Sequence, residues 1–236
     1  MNEILKQENI EIIKNRQLLE SIAKLYAKVF AEPPWNEFSR CPCCNRFYGQ
    51  DVPIGSLSSC CEKQLIEAYP LNETVNYIKA ELKKPNAFLA YLSLLDGRII
   101  GFAWGYQTNC QKFANEKYKT SEMIEKVINA LYNSGLSSEL PIFYFSECGI
   151  DSEYRRKGHA NELTKTMIDI AQSLGLPLIM RTNIQSPMVA VAQRFGMKQC
   201  FGPEVIYQHG QIITTERVIN EIDLENPSRI LFIYKK

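Results

Sequence analysis

The chain has 236 residues, 45% of them apolar, with eight cysteines and a net charge of +1. That apolar content furnishes a real core, so the cysteines need not stand in for one. The absence of a basic excess counts against broad binding to nucleic acid or to an anionic membrane.

The opening "MNEILKQENIEIIKNRQ" is charged throughout and lacks the apolar centre of a signal peptide. No run approaches the roughly 18 apolar residues of a transmembrane helix. The expected setting is the cytoplasm, where thiols stay reduced, and the expected assembly is a monomer or homodimer.

In chain order, "IEIIK" (10–14) reads as a short strand. "RQLLESIAKLYAKVF" (16–30) places Leu18, Ile22, Leu25, Tyr26 and Val29 at helical spacing, and the prolines of "AEPPW" end that helix. After a cysteine-rich stretch, "LNETVNYIKAELKK" (71–84) predicts a helix with Asn72 as its cap. "FLAYLSLLDGRIIGFAWGYQT" (88–108) predicts two strands turning at Asp96-Gly97. "SEMIEKVINALYNSG" (121–135) predicts a helix capped by Ser121 and closed by Gly135. "PIFYFSECGI" (141–150) is a buried-strand pattern, followed by a helix over 158–175, a strand over 176–184 and a short helix over 186–196 with Pro187 at its start. Strands are expected at 198–202 and 229–236. This order predicts an α/β fold with a mixed sheet flanked by helices. With no linker or repeat, a single domain over 1–236 is expected, with a Cys-rich insertion at about 38–66 and a helical insertion at about 109–137.

"CPCCNRFYGQDVPIGSLSSCC" (41–61) holds five of the eight cysteines. Cys41 and Cys44 have the C-x-x-C spacing of a zinc knuckle, and Cys60 and Cys61 follow at close to zinc-ribbon separation. The second pair is adjacent instead of two apart, so the expectation is that one of the two, with Cys43 or a water, completes the shell. Structural zinc, free or redox-active thiols and disulfides all stay open, with the reducing compartment against the last.

The stretch "DSEYRRKGHANEL" joins the strand ending at Ile150 to the next helix. Three consecutive cations, a glycine that permits close backbone approach and a helix N-terminus with unpaired N–H groups make a receptor for phosphate or pyrophosphate. Neither a P-loop nor a dinucleotide fingerprint is present. The stretch resembles motif A of the GNAT family of acyl-CoA-dependent N-acetyltransferases, Arg/Gln-x-x-Gly-x-Gly/Ala, met here by Arg155, Gly158 and Ala160, with Tyr154 just before. The resemblance continues to "VAQRFGMKQC", where Gly196-Met197 stands in place of Gly-Phe, and covers about 140–202.

The resemblance implies that strands 142–150 and 177–184 splay to admit the pantetheine of acetyl-CoA, with backbone groups of Cys148, Gly149 and Ile150 hydrogen-bonding it. Backbone N–H groups of Arg156, Lys157, Gly158, His159, Ala160 and Asn161 would cradle the pyrophosphate, with Arg155, Arg156 and Lys157 as charges. It further implies direct attack of a primary amine, of a small molecule or peptide, on the thioester in a ternary complex. The proton acceptor would lie on the preceding strand, at Tyr144 or Ser146, or at Glu147 if a bulge turns it inward. The family's usual general-acid tyrosine falls on Ala192 and its usual asparagine on Gln185, so protonation of the departing thiolate must come from elsewhere, or catalysis is lost. A CoA-binding module without catalysis and a zinc-containing interaction module are the other readings. On the acceptor side the resemblance points to "FAEPPWNEF" (30–38), where Trp35 offers an aromatic wall and Glu32 and Glu37 attract a cationic amine.

Overall fold

The structure, a computed structural model, describes residues 3–7, 13–138, 140–203, 205–208, 211–214 and 229–235. It is a mixed α/β fold. The strands are β1 (Glu3–Gln7), β2 (Ser39–Arg40), β3 (Phe47–Tyr48), β4 (Ile66–Glu67), β5 (Phe88–Ser93), β6 (Ile99–Asn109), β7 (Pro141–Ile150), β8 (Leu178–Asn183), β9 (Lys198–Phe201), β10 (Val205–Gln208), β11 (Gln211–Thr214) and β12 (Arg229–Tyr234). The helices are α1 (Arg16–Ala31), α2 (Leu71–Leu82), α3 (Cys110–Lys117), α4 (Ser121–Asn133), α5 (His159–Ser173) and α6 (Met188–Arg194), with a 3₁₀ turn at Ser152–Tyr154.

The main sheet has the order β1-β5-β6-β7-β8-β12-β9. β7 and β8 are parallel, as the intervening helix α5 requires. β12 lies antiparallel to β8 from Arg229↔Asn183 to Tyr234↔Leu178, and β1 antiparallel to β5. Separate small sheets are formed by β3-β2-β4 and by β10-β11.

Two compact units are distinguishable. The first comprises 1–83, 89–102 and 148–159, the second 84–88, 103–147 and 160–236. In the first, α1 buries Leu19, Ile22, Tyr26, Val29 and Phe30, each contributing about 1.5–3 kcal/mol. Tyr26 is the hub, its ring 4.4 Å from Phe30, 5.0 Å from Tyr69 and 5.8 Å from Phe102. In the second, α3 and α4 pack Phe113, Tyr118, Met123, Val127 and Leu131 against Tyr106, Tyr144, Ile179 and Leu231 of the sheet.

Several local expectations shift by a residue or more. Ile13 and Lys14 are helical rather than extended, ahead of the Asn15 cap, whose side chain accepts from Leu18 N at 3.0 Å. The first strand is β1 instead, and residues 10–12 of the expected strand lie outside the described residues. Pro70, not Asn72, precedes α2, because its fixed extended backbone (φ −57°, ψ 136°) makes the next residue the first that can turn. Thr120, not Ser121, caps α4, its side chain accepting from Met123 N at 3.3 Å. The hairpin β5–β6 turns at Asp96-Gly97 as expected, with Gly97 at φ 82° and Arg98 N donating to the Asp96 carboxylate at 3.0 Å. Among the described residues no helix is long and apolar enough to cross a membrane.

Candidate functional site

In the first unit, the chain leaves β7 and is pinned at once. Asp151 N donates to Ile100 O at 2.9 Å, while the Asp151 carboxylate accepts from Lys28 Nζ at 2.8 Å and from Glu153 N at 3.2 Å. Burial pushes the Asp151 carboxyl up, but the Lys28 ammonium and the Glu153 N–H outweigh it and hold it below its ordinary value. The Asp151 hydrogen bond in turn raises the Lys28 ammonium.

Arg155, read from the sequence as a phosphate contact, folds back onto the protein. Its Nε donates to Ile150 O at 3.1 Å and its Nη2 pairs with Glu32 at 2.7 Å, while Ser152 Oγ donates to the other Glu32 oxygen at 2.9 Å. Arg155 is therefore a brace, and the exposed cations of the loop are Arg156 and Lys157. A third cation, Arg98, comes from the β5–β6 turn and donates to Tyr154 OH at 2.6 Å. Nothing in the local sequence pointed to Arg98, Lys28 or Asp151, because their partners are remote in the chain.

Gly158 sits at φ 89°, and a Cβ built there meets nothing within 4 Å. The glycine serves the turn and leaves open space in front of α5, whose first N–H groups and positive dipole end favour an anion. His159 opens the helix and is nearly buried. In the second unit, Asn161 Oδ1 and Thr164 Oγ1, one turn apart on α5, are buried without a hydrogen-bond partner. Such orphans are uncommon in native proteins.

The registered parallel pairing of β7 with β8 runs over Phe143–Phe145 and Leu178–Met180. Both strands continue past it, to Ile150 and to Asn183. A Cβ on Gly105 would strike the Phe143 ring, and the Tyr144 ring meets that of Tyr106 at 5.5 Å. The stretch from Tyr144 to Gly149 carries the polar residues of β7.

Within that stretch Ser146 is buried and Glu147 and Cys148 are half-buried. Tyr144 is 4% exposed and held edge-on by Tyr106 and Phe113. Beyond β8, Asn183 accepts from Gln185 N at 2.8 Å, Gln185 itself is exposed, and Ala192 is fully buried on α6.

Also in the first unit, α1 and the segment from Glu37 to Leu71 line an open cavity of about 580 Å³. Its lining includes Glu32, Glu37, Glu67 and Tyr69, with Lys24 and Lys28 from α1. Ala23, Ala27 and Ala31 at four-residue spacing form its floor. Glu37 accepts a hydrogen bond from Tyr69 OH. Trp35 is half-buried, its ring 5.1 Å from Phe30. Lys28 and Glu32 thus line the cavity and brace the 151–155 loop at once.

The sulfurs of Cys41, Cys44, Cys60 and Cys61 all lie within 4.8 Å of one another. Four thiolates on zinc, at about 2.3 Å each, stand about 3.8 Å apart. The Ser58 hydroxyl and the N–H groups of Cys44 and Cys43 outweigh burial and hold the Cys41 thiol down to about 6. The Tyr48 hydroxyl and Cys44 lower Cys60, whereas Cys44 and Cys43 help push Cys61 up. The donor set, four clustered sulfurs with N–H groups aimed at them, fits a thiophilic divalent metal. Cys43 is exposed, and Cys110 and Cys200 lie in the second unit, where burial pushes Cys200 up to about 12.

No curated protein sequence matches this chain. Among solved structures, a polyamine N-acetyltransferase of Drosophila melanogaster that forms N-acetylagmatine superposes with a TM-score of 0.54 at 11% identity, covering 100% of both chains. The mosquito arylalkylamine N-acetyltransferase-like 5b gives 0.51 at 10% identity and 99% of both chains. An N-acetyltransferase of Staphylococcus aureus Mu50 gives 0.50 at 10% identity, covering 100% of this chain and 98% of the other. At these identities the likeness shows the fold. Residues 54–197 match the acetyltransferase (GNAT) family, and the chain belongs to that family.

Proposed function

We propose that the protein transfers an acetyl group from acetyl-CoA to a primary amine by direct attack in a ternary complex. The observation that supports this is the loop after β7, where Gly158 has open space before it and Arg156, Lys157 and Arg98 stand nearby as cations. Acetyl-CoA, when bound, supplies the thioester. Backbone groups of Cys148, Gly149 and Ile150 would hydrogen-bond its pantetheine, and N–H groups of residues 156–161 its pyrophosphate. Arg156, Lys157 and Arg98 stand as the cations for its phosphates. Arg155 holds the loop in shape.

Glu147, half-buried on β7, is the base that takes the ammonium proton. Ser146 is a polar neighbour on the same strand, and Tyr144 lies within the aromatic packing of β6 and α3. With Ala192 buried at the usual tyrosine position, the departing thiolate takes its proton from water or from Ser186. That same alanine favours the second reading, a CoA-binding module without catalysis. The acceptor is placed in the α1 cavity, where Glu32, Glu37 and Glu67 favour a cationic amine. Zinc held by Cys41, Cys44, Cys60 and Cys61 is structural, since four sulfurs leave no open position.

The test is thiol release from acetyl-CoA across a panel of polyamines, agmatine, arylalkylamines and peptide N-termini, run with wild type and Glu147→Gln. The proposal expects turnover on at least one amine. It expects the variant to lose roughly 10²-fold in kcat/KM while acetyl-CoA affinity holds. Acetyl-CoA binding with no turnover on any amine supports the module reading. Equal turnover by the variant removes Glu147 from the base role.

A further inference from the structure

The Cys-rich segment contains two hairpin tips with the same backbone plan, although only one carries the C-x-x-C spacing. In the first, Arg40 pairs with Phe47, Cys41 N donates to Arg46 O at 2.9 Å, Asn45 N donates to Cys41 O at 2.9 Å, and Asn45 is left-handed at φ 59°. In the second, Leu57 pairs with Gln64, Ser58 N donates to Lys63 O at 2.8 Å, Glu62 N donates to Ser58 O at 3.0 Å, and Glu62 is left-handed at φ 52°. Position by position, the second tip lies 17 residues after the first. Cys41 then corresponds to Ser58, Cys43 to Cys60 and Cys44 to Cys61. Burial agrees, because Cys41 is 0% exposed and Ser58 2%.

We propose that residues 38–68 form a two-knuckle metal ribbon in which Ser58 stands at the fourth ligand's position and Cys60, two residues on, supplies that ligand instead. This rests on the four-sulfur metal site proposed above and is independent of acetyl transfer. The geometry shows how the exchange works. The Ser58 hydroxyl turns back onto its own tip, where it accepts from Lys63 N at 3.1 Å. The Cys60 sulfur comes within 3.2 Å of Cys44 and lies in one cluster with those of Cys41 and Cys61. The adjacent cysteines that look irregular in the sequence are one regular position, Cys61, and one relocated ligand, Cys60. Cys43, the counterpart of Cys60 in the first tip, stays outside the shell.

Cobalt(II) titration of the full-length, metal-stripped chain tests this without reference to activity, since thiolate-to-cobalt charge transfer counts sulfurs. Wild type and Cys43→Ser should each bind one Co(II) with a four-thiolate spectrum. Cys60→Ser should lose about a quarter of the charge-transfer intensity and bind at least tenfold more weakly. The double variant Ser58→Cys/Cys60→Ser should regain both, and circular dichroism of each variant checks that it folds. Ser58→Ala should keep the four-thiolate spectrum. A double variant that folds yet stays as weak as Cys60→Ser overturns the proposal. So does loss of a thiolate in Cys43→Ser, or wild type that takes up no Co(II).

Discussion

Asp151 is the residue whose replacement speaks most directly to how the loop after β7 is held. Its side chain is 9% exposed, its Lys28 partner 45% exposed, and the two meet at 2.8 Å. Fully exposed pairs are worth about 0–1 kcal/mol, and breaking a buried one costs about 3–5 kcal/mol. Half-exposure of Lys28 places this pair near the lower end, at about 1 kcal/mol for Asp151→Asn, which keeps an acceptor for Glu153 N. Asp151→Ala also removes the turn cap, worth about 1 kcal/mol, for a total of about 2 kcal/mol. At about 2–4 °C per kcal/mol for a chain of this size, thermal unfolding at pH 7 should show a Tm lower by roughly 2–4 °C for Asn and roughly 4–8 °C for Ala.

The pH dependence has a definite sign. The Asp151 carboxyl is lowered in the folded state, so its stabilisation is full above the unfolded value of about 4 and fades as pH falls through the folded value. Lys28 is raised, so its share is full below about 10.4 and fades as pH rises through the folded value. The gap between wild type and Asp151→Asn should therefore be flat in between and close in acid. A gap below 1 °C at pH 7, or one that widens in acid, would refute the reasoning.

Gly158→Ala meets open space, so its cost is purely the left-handed backbone, about 1–2 kcal/mol. Calorimetry should also show acetyl-CoA bound at least tenfold more weakly, because the methyl enters the space in front of the helix N-terminus. Thr164→Val removes a buried, unpartnered hydroxyl and should raise the Tm of the ligand-free protein by a few degrees, reflecting about 1 kcal/mol of relieved desolvation. Stripping the metal with a chelator should raise the KM for the amine while leaving acetyl-CoA affinity within about twofold, since the segment it folds contributes Phe38, Gln50 and Ile54 to the cavity wall.

Features written in local chemistry were legible. The 3.6-residue pattern of α1, the Asp96-Gly97 turn, the apolar run of β7 and the Arg155–Ala160 loop all appear where the sequence places them. What depends on a distant partner was not. Arg155 reads as a phosphate ligand until Glu32 appears beside it, and nothing in the sequence marks Lys28 or Arg98, whose partners Asp151 and Tyr154 are remote in the chain. Of the strand expected at 10–14, the described residues Ile13 and Lys14 are helical: β-branched residues score as strand, whereas Asn15 caps a helix right behind them. Ser58 was missed because a ligand's place can hold a residue that is not a ligand. Its backbone, not its side chain, gives it away.

The central claim is that the loop from Asp151 to Asn161 receives an acyl-CoA. Calorimetric titration of the full chain with acetyl-CoA tests it most directly. One site per chain is expected, weakened at least tenfold by Gly158→Ala; no heat of binding from a folded wild-type protein would contradict the account.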